Sequence, residues 1–440
     1  MRRALLGLVC GLVAVPAAAG GYLTLEGHGG PIRGVAVSPD GRQAATASFD
    51  TSLGLWATSD GRHAGWAEGH EAGANAVVFL PDGRLLSAGD DFAAILWDAT
   101  GRLLRRLEGH RGKIVGVATT GDGRRAATAS WDGDIGLWDL ETGVRVGWLD
   151  GHRANVNDVA FSEDGQRLYS ASYDGTIRVW DVAEMREIRT LVSHGFGVNR
   201  LVLNEAAGWL AYGGVDGAIR VVGIADGAPR ADLSADRRPI LALALSADGD
   251  RLAVGDGQGY ISVVETAGWT FIRDFRAAKH GPIWALAFAG DRLLAGGIAD
   301  EAVFWPLGGG TATLFAEARG FQTPPDEMAN GERQFVRKCS ICHSVTPDGA
   351  RKAGPTLWKL FGRPAGAVAG YRYSDALAGS TIVWTDESVD ALFRLGPDRV
   401  TPGSKMPVQK IARPEDRADL IAYLRRTTTG EPDSDRSARP

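Results

Sequence analysis

Three residues in this chain have the types and spacing for redox chemistry: Cys339, Cys342 and His343, in the run Cys339-Ser340-Ile341-Cys342-His343. Two thiols separated by two residues suit a disulfide, a dithiol redox centre or a haem clasp. The adjacent histidine selects the last. Thiols one helical turn apart can add to the two vinyl groups of one porphyrin while the neighbouring imidazole reaches the iron. Half of a zinc site is the competing reading, but zinc wants four ligands and residues 327–430 contain no other cysteine or histidine. One covalent haem c, held through Cys339 and Cys342 with His343 as proximal ligand, is therefore expected.

Around this motif the apolar period is helical, over Asp326 to Cys339 with Met328, Phe335 and Val336 apolar. A closing helix over Pro414 to Thr428 places Leu420 and Leu424 on one face, able to cross the first near Phe335, where Gly331 permits close backbone approach. Together with Ala353-Gly354-Pro355, Leu360-Phe361-Gly362-Arg363, Gly370-Tyr371-Arg372-Tyr373-Ser374-Asp375, Trp384, Pro402-Gly403-Ser404-Lys405-Met406 and Arg417 to Leu424, the segment resembles class I cytochrome c of the mitochondrial and alphaproteobacterial type. The resemblance implies Met406 as distal iron ligand, the Pro355 carbonyl as partner of the free His343 nitrogen, and Arg363, Tyr373 and Trp384 as residues holding the haem propionates. A thioether opposite imidazole raises the reduction potential. Two positions depart from the family pattern. Phe393 stands where a tyrosine hydroxyl often lies near the methionine sulfur, and Val408 replaces an aromatic that usually shields the haem edge.

Before this segment the period is two, and it repeats. A histidine precedes an apolar strand at His28, His70, His110, His152, His194 and His280, with Asp236 in the equivalent place, at intervals of 40 to 44 residues. Each unit ends in a strand such as Leu55-Trp56, Leu96-Trp97-Asp98 or Val179-Trp180-Asp181. These Gly-His and Trp-Asp pairs resemble the WD-repeat family, which implies four-stranded blades around a central channel. By that resemblance His152, Asp174, Ser172 and Trp180 form a structural hydrogen-bonded network within their blade. Units one to five keep the turn aspartate, as Asp50, Asp91, Asp132, Asp174 and Asp216, whereas Gln258 and Ala299 replace it in units six and seven. The N-terminal strand Tyr22 to Glu26 is expected to close the ring in preference to Thr311 to Ala316. The expected fold class is thus multidomain: an all-β seven-bladed WD-repeat propeller over 20–316, a linker over 317–326, a small all-α class I cytochrome c domain over 327–430 and a disordered tail over 431–440.

Residues 1–19 read as a signal peptide, with Met1-Arg2-Arg3, an apolar stretch from Ala4 to Val15 and Pro16-Ala17-Ala18-Ala19 before cleavage. The stretch is shorter than the ~20 residues of a spanning helix, so export to the periplasm without stable membrane insertion is expected. Residues 331–440 carry 18 Lys plus Arg against 13 Asp plus Glu, while the whole chain is at −5. A basic haem segment thus follows an acidic propeller. Lys338, Lys352, Lys359 and Lys405 could ring the haem edge and steer an acidic partner, or dock onto the chain's own propeller. Export and overall acidity argue against nucleic acid.

In WD-repeat proteins the position just before the turn aspartate lies on the partner-binding face; here it holds Phe49, Asp90, Trp131 and Tyr173. The expected function is a periplasmic electron carrier whose propeller docks a protein redox partner (a dehydrogenase, a reductase or a respiratory complex) through Phe49, Trp131 and Tyr173. A haem-based redox sensor or interaction scaffold, motivated by Phe393 and Val408, is the alternative. Enzymatic turnover is not expected. Met406 would close the iron, and the histidines outside the repeats are only His63, in a turn, and His343, so no second metal site or triad can be assembled.

Overall fold

Short runs of small and β-branched residues between glycine turns dictate the first three-quarters of the chain. In Gln43–Ser48 every residue after the first is buried, because both faces of a blade are covered by its neighbours. The computed structural model describes residues 22–234, 239–278, 281–308, 328–340, 342–347, 352–371, 373–404, 406 and 409–429. Among these, seven four-stranded antiparallel sheets follow one another. Blade one comprises Ile32–Val37, Gln43–Ser48, Ser52–Ala57 and His63–Glu68, and the next five repeat that order. Blade seven takes Ile283–Ala289, Arg292–Gly297 and Ala302–Pro306 and borrows its outer strand from the other end of the chain. There Leu23–Leu25 pairs antiparallel with the last strand, Leu23 opposite Phe304. The N-terminal strand therefore closes the ring, as the sequence suggested; Thr311 to Ala316 lies outside the described residues. Neighbouring blades share apolar seams, such as Leu53 and Leu55 against Val77, Leu85, Ile95 and Trp97.

Blades one to four carry the same buried polar relay. In blade two, His70 Nδ1 lies 3.0 Å from Asp91, His70 Nε2 lies 2.7 Å from Ser87 Oγ, and Trp97 Nε1 donates to that oxygen at 2.8 Å. Blade four places Ser170, not Ser172, between His152 and Trp180, at 2.7 and 2.8 Å. The two serines share one face by strand alternation, so spacing alone did not separate them. Ser170 is the one the tryptophan reaches, whereas Ser172 accepts from the Asp174 N–H and fixes the turn. In blade five Tyr212 takes the hydroxyl position and Val222 the tryptophan position. His194 turns its Nε2 to Asp216 at 3.1 Å and stacks edge-on against the Tyr212 ring. In blade six the buried Asp256, two residues before Gln258, accepts from the Gln258 and Tyr260 N–H groups and closes the turn instead. Asp236 and His280 lie outside the described residues.

The C-terminal segment is helical: α1 (Asn330–Lys338), α2 (Asp375–Ala378), α3 (Asp386–Leu395), α4 (Pro397–Val400) and α5 (Pro414–Thr428). At the α1–α5 crossing a side chain on Gly331 would strike the Asp419 carbonyl, so only glycine lets the helices meet this closely. Phe335 and Tyr423 stack beside it with ring centres 5.4 Å apart. α3 begins with a reciprocal cap, Ser388 N–H donating to Thr385 Oγ1 and Thr385 N–H to Ser388 Oγ. The buried Arg417 of α5 bonds Asp390 of α3 at 2.6 Å and the carbonyls of Ile411 and Ala412, tying the helices around one apolar core.

Candidate functional site

The turn after α1 delivers the reactive residues. Cys342 N–H and His343 N–H both donate to the Cys339 carbonyl, which wraps the Cys-x-x-Cys-His run into a single turn and brings both thiols to one side. Both cysteines are free thiols. Burial pushes the Cys339 thiol up to about 12. Cys342 is raised as well, by burial first; the nearby Lys352 opposes this and the charge of Asp90 adds to it. Each thiol is thus a neutral S–H group.

These residues open onto a cleft holding about 1470 Å³ of atom-free space, its outer part continuous with solvent. Cys339, Cys342, His343, Pro355, Arg363, Tyr373, Trp384 and Met406, drawn from the whole of the segment, all line it. His343 Nδ1 donates to the Pro355 carbonyl at 2.8 Å, the bond that the sequence resemblance implied. That bond fixes the tautomer and leaves the other ring nitrogen as an electron-pair donor. Burial lowers the imidazole's proton affinity, and the Pro355 bond only partly offsets it, so the ring is the neutral species a metal requires. Gly354 is obligatory here: a Cβ would lie 2.7 Å from His343 Nδ1 and 2.8 Å from the Cys342 carbonyl.

Arg363 is held by the carbonyls of Trp358 (2.6 Å) and Thr356 (2.8 Å), and burial lowers its proton affinity. The Tyr373 hydroxyl accepts from the Val368 N–H at 3.3 Å, and the Trp384 N–H donates to the Arg363 carbonyl at 3.0 Å. These three form one corner of the cleft, able to present an arginine and a phenol to a carboxylate. Tyr371, which sequence reading left without a role, donates its hydroxyl to the Ala353 carbonyl at 2.6 Å and bridges that corner to the His343 loop. Phe393 lines the cleft with Met406, buried and without a hydroxyl. Val408 and Lys405 lie outside the described residues.

Of the remaining lysines, Lys338 lines the cleft, but Lys359 is exposed at the end of α5, where its N–H donates to the Thr428 carbonyl. The cleft is not walled by the helical segment alone. Phe49, Glu71, Ala72, Gly73 and Asp90, from the loops of blades one and two, complete its mouth. Sequence reading missed this wall, since nothing in the spacing of a repeat says what will sit on it.

The expected docking face is accordingly divided. Phe49 is half-buried, under the Arg33 guanidinium and at the cleft mouth, and is not part of an open patch. Asp90 is fixed by Lys113 at 2.6 Å and Asn75 at 2.7 Å. Trp131 and Tyr173 are 44% and 57% exposed, and Phe196, which sequence reading overlooked, is 59% exposed. Among the described residues no cluster of three or more His, Cys, Asp or Glu could hold a metal ion, and no helix is long and apolar enough to cross a membrane.

Two family models match the chain. One, described as WD domain, G-beta repeat, covers residues 22–57, 66–98, 101–139 and 143–181; the other, Cytochrome c, covers 328–428. The matched repeats are blades one to four, those that keep the full His–Asp–hydroxyl–Trp relay. The C-terminal segment is similar to cytochrome c of Chlamydomonas reinhardtii, 42% identical over 116 residues, which are 26% of this chain and 98% of that protein. It is 39% identical over 107 residues to cytochrome c of Cannabis sativa, 24% of this chain and 96% of that protein. A cytochrome c homolog of Rickettsia felis is 42% identical over 97 residues, 22% of this chain and 55% of that protein.

Proposed function

Because the chain belongs to the cytochrome c family through residues 328–428 and carries WD repeats ahead of them, we propose that it is a periplasmic one-electron carrier whose propeller docks a protein redox partner. The cofactor is a covalently attached haem c. In this reading the Cys339 and Cys342 thiols would hold it covalently as thioethers. His343 and Met406 would hold its iron, Pro355 orients His343, and Arg363, Tyr373 and Trp384 would hold its carboxylates. The haem iron supplies the one-electron couple. The chain's own groups neutralise, orient and exclude water around it. The observation that carries the reading is the convergence of all eight residues on one cleft, with the His343 tautomer fixed at 2.8 Å by Pro355.

Trp131, Tyr173 and the neighbouring Phe196 form the partner face of this proposal, since exposed aromatics dominate protein docking energetics. A dehydrogenase, a reductase or a respiratory complex would fit. The test has two arms. Protein made in a host that matures c-type cytochromes should keep its haem under denaturation, lose it in Cys339→Ala plus Cys342→Ala, and change its axial-ligand spectrum in Met406→Ala. Haem that dissociates on denaturation, or a spectrum indifferent to Met406→Ala, would sink the assignment. Capture from a periplasmic extract should retain a redox protein that Trp131→Ala plus Tyr173→Ala loses.

A redox sensor is the second reading, motivated by Phe393, a cleft-lining residue that itself has no hydroxyl to offer Met406. Ready replacement of methionine by added imidazole in the ferric form would support it, and inertness would exclude it.

A further inference from the structure

The wall that blades one and two lend to the cleft places the haem mouth against this chain's own propeller. We propose that the loops carrying Phe49, Glu71 to Gly73 and Asp90 are the seat of the haem domain, and that this intramolecular seat must open before a protein-sized redox partner reaches the haem edge.

Three observations converge on the seat. The first is geometric: Lys338, Cys342 and Ala353 on one side and Phe49, Gly73 and Asp90 on the other line a single continuous space, so the thiol beside the outer rim of the cleft faces a propeller loop. The second is charge. Lys352, half-buried and one residue before the cleft-lining Ala353, feels the favourable charge of Asp300 first and of Asp50, both on the propeller, and the charge of Asp90 acts on Cys342. This local pairing follows the opposite signs of the two parts of the chain. The third is that the seat is built rigidly on the propeller side. Asp90 N–H donates to the Gly73 carbonyl and Glu71 N–H to Asp91, the carboxylate of the blade-two relay. Phe49 N–H donates to the Pro31 carbonyl, and its ring packs on Gly73.

Charge attractions across such a boundary are individually weak and are screened over a Debye length of about 8 Å at physiological salt. The seat can therefore open without unfolding either part, and its open fraction sets the access of a large partner. The inference rests on a haem filling the cleft, and its test separates the two claims.

Zero-length carbodiimide cross-linking of the full haem-loaded chain, followed by peptide mapping, should join Lys352 to Asp300, or Lys338 to Glu71, at low salt, and lose the link at high salt. In parallel, one electron is passed from the ferrous haem to a cupric blue-copper protein and, separately, to a neutral quinone. Asp300→Lys should speed the protein reaction about two- to fivefold, as loss of one charge attraction allows, leave the quinone reaction nearly unchanged, and be reversed by adding Lys352→Asp. Absence of any link between the two parts, or equal rates with the blue-copper protein for Asp300→Lys and the parent, would overturn the seat. A chain that fails to retain haem would sink the electron-carrier reading, and the cross-link map still reads the seat without it.

Discussion

Replacing Ser87 by alanine removes one oxygen from the middle of the blade-two relay and leaves two buried groups without a partner. Trp97 Nε1–H donates to Ser87 Oγ at 2.8 Å and His70 Nε2 pairs with it at 2.7 Å; the tryptophan and the His70 side chain have no exposed surface. His70 cannot turn away, because its Nδ1 is held by Asp91 at 3.0 Å. An orphaned buried donor or acceptor costs about 1–3 kcal/mol. The space vacated by one oxygen is too small for a water to restore the bonds. The expected loss is about 2–6 kcal/mol for the two groups together. Urea unfolding followed by the β-sheet circular dichroism should show it as a lower midpoint at unchanged slope. Ser170→Ala in blade four breaks the same pattern of bonds and should cost a similar amount. The two variants should nevertheless differ at the haem. Of the relays of blades two and four, only that of blade two, through Asp91 and Glu71, reaches a loop at the cleft mouth, so of these two variants only Ser87→Ala should also speed electron transfer to a large acceptor. A loss below about 0.5 kcal/mol, within the range of a neutral surface change, would refute the relay as a source of stability. Equal electron-transfer rates in the two variants would refute its role as a brace.

Gly354→Ala should displace His343, since the new Cβ would lie 2.7 Å from its Nδ1, and should lower holo-protein yield and perturb the axial-ligand spectrum at an overpacking cost of about 1–3 kcal/mol. Acid should unfold the propeller in a defined window. Burial pushes the Asp91 carboxyl up, but the hydrogen bond and charge of His70, the Glu71 N–H and Arg106 outweigh it and hold the group at about 2. A depressed folded-state value means that its stabilisation, about 2 kcal/mol, is complete above the unfolded value near 3.9 and is lost as pH falls from there through about 2. Asp132 and Asp174 are depressed in the same direction, so a pH titration of the urea midpoint should fall steeply below about 4; a flat profile there would contradict the relay geometry. Phe196→Ala, leaving Trp131 and Tyr173 intact, should weaken partner capture without changing the haem spectrum, and unchanged capture would remove Phe196 from the face.

The haem cleft was legible in the sequence because its chemistry is carried by residue types that have few other uses. Cys-x-x-Cys-His is one turn of chain, and the other expected site residues that line the cleft, Pro355, Arg363, Tyr373, Trp384 and Met406, sit in short motifs that the resemblance marks. The blades were legible from period two and the recurring Gly-His and Trp-Asp pairs. What escaped was whatever depends on contacts between elements. Ser170 and Ser172 lie on the same face of one strand, and only the reach of the Trp180 ring decides between them. Phe49, Trp131 and Tyr173 occupy equivalent repeat positions, yet the first is half-buried at the cleft mouth and the others are exposed. Repeat position fixes where a side chain leaves its blade and says nothing about what then covers it. Phe196 was missed for the complementary reason: it follows His194-Gly195 outside the period-two strands, where no pattern marks it.

If the proposed seat covers the haem edge, a propeller that also exposes Trp131, Tyr173 and Phe196 couples two binding events. A partner that settles on Trp131, Tyr173 and Phe196 is held on the same propeller that carries the proposed seat. If its own charge competes for Lys352 or for Asp300, it releases the haem domain into a volume set by the connection between the two parts. Within that volume the effective concentration of haem at the partner exceeds that of a free carrier. The chain then discriminates twice, once by shape at the aromatic face and once by charge at the rim. A small neutral reductant satisfies neither requirement and gains nothing from the tether. On this account, removing the propeller should raise the rate with a non-cognate protein, whose access the seat restricts. It should lower the rate with the cognate partner, whose capture the aromatic face provides. A change in the same direction for both would leave either the cover or the docking face without a role.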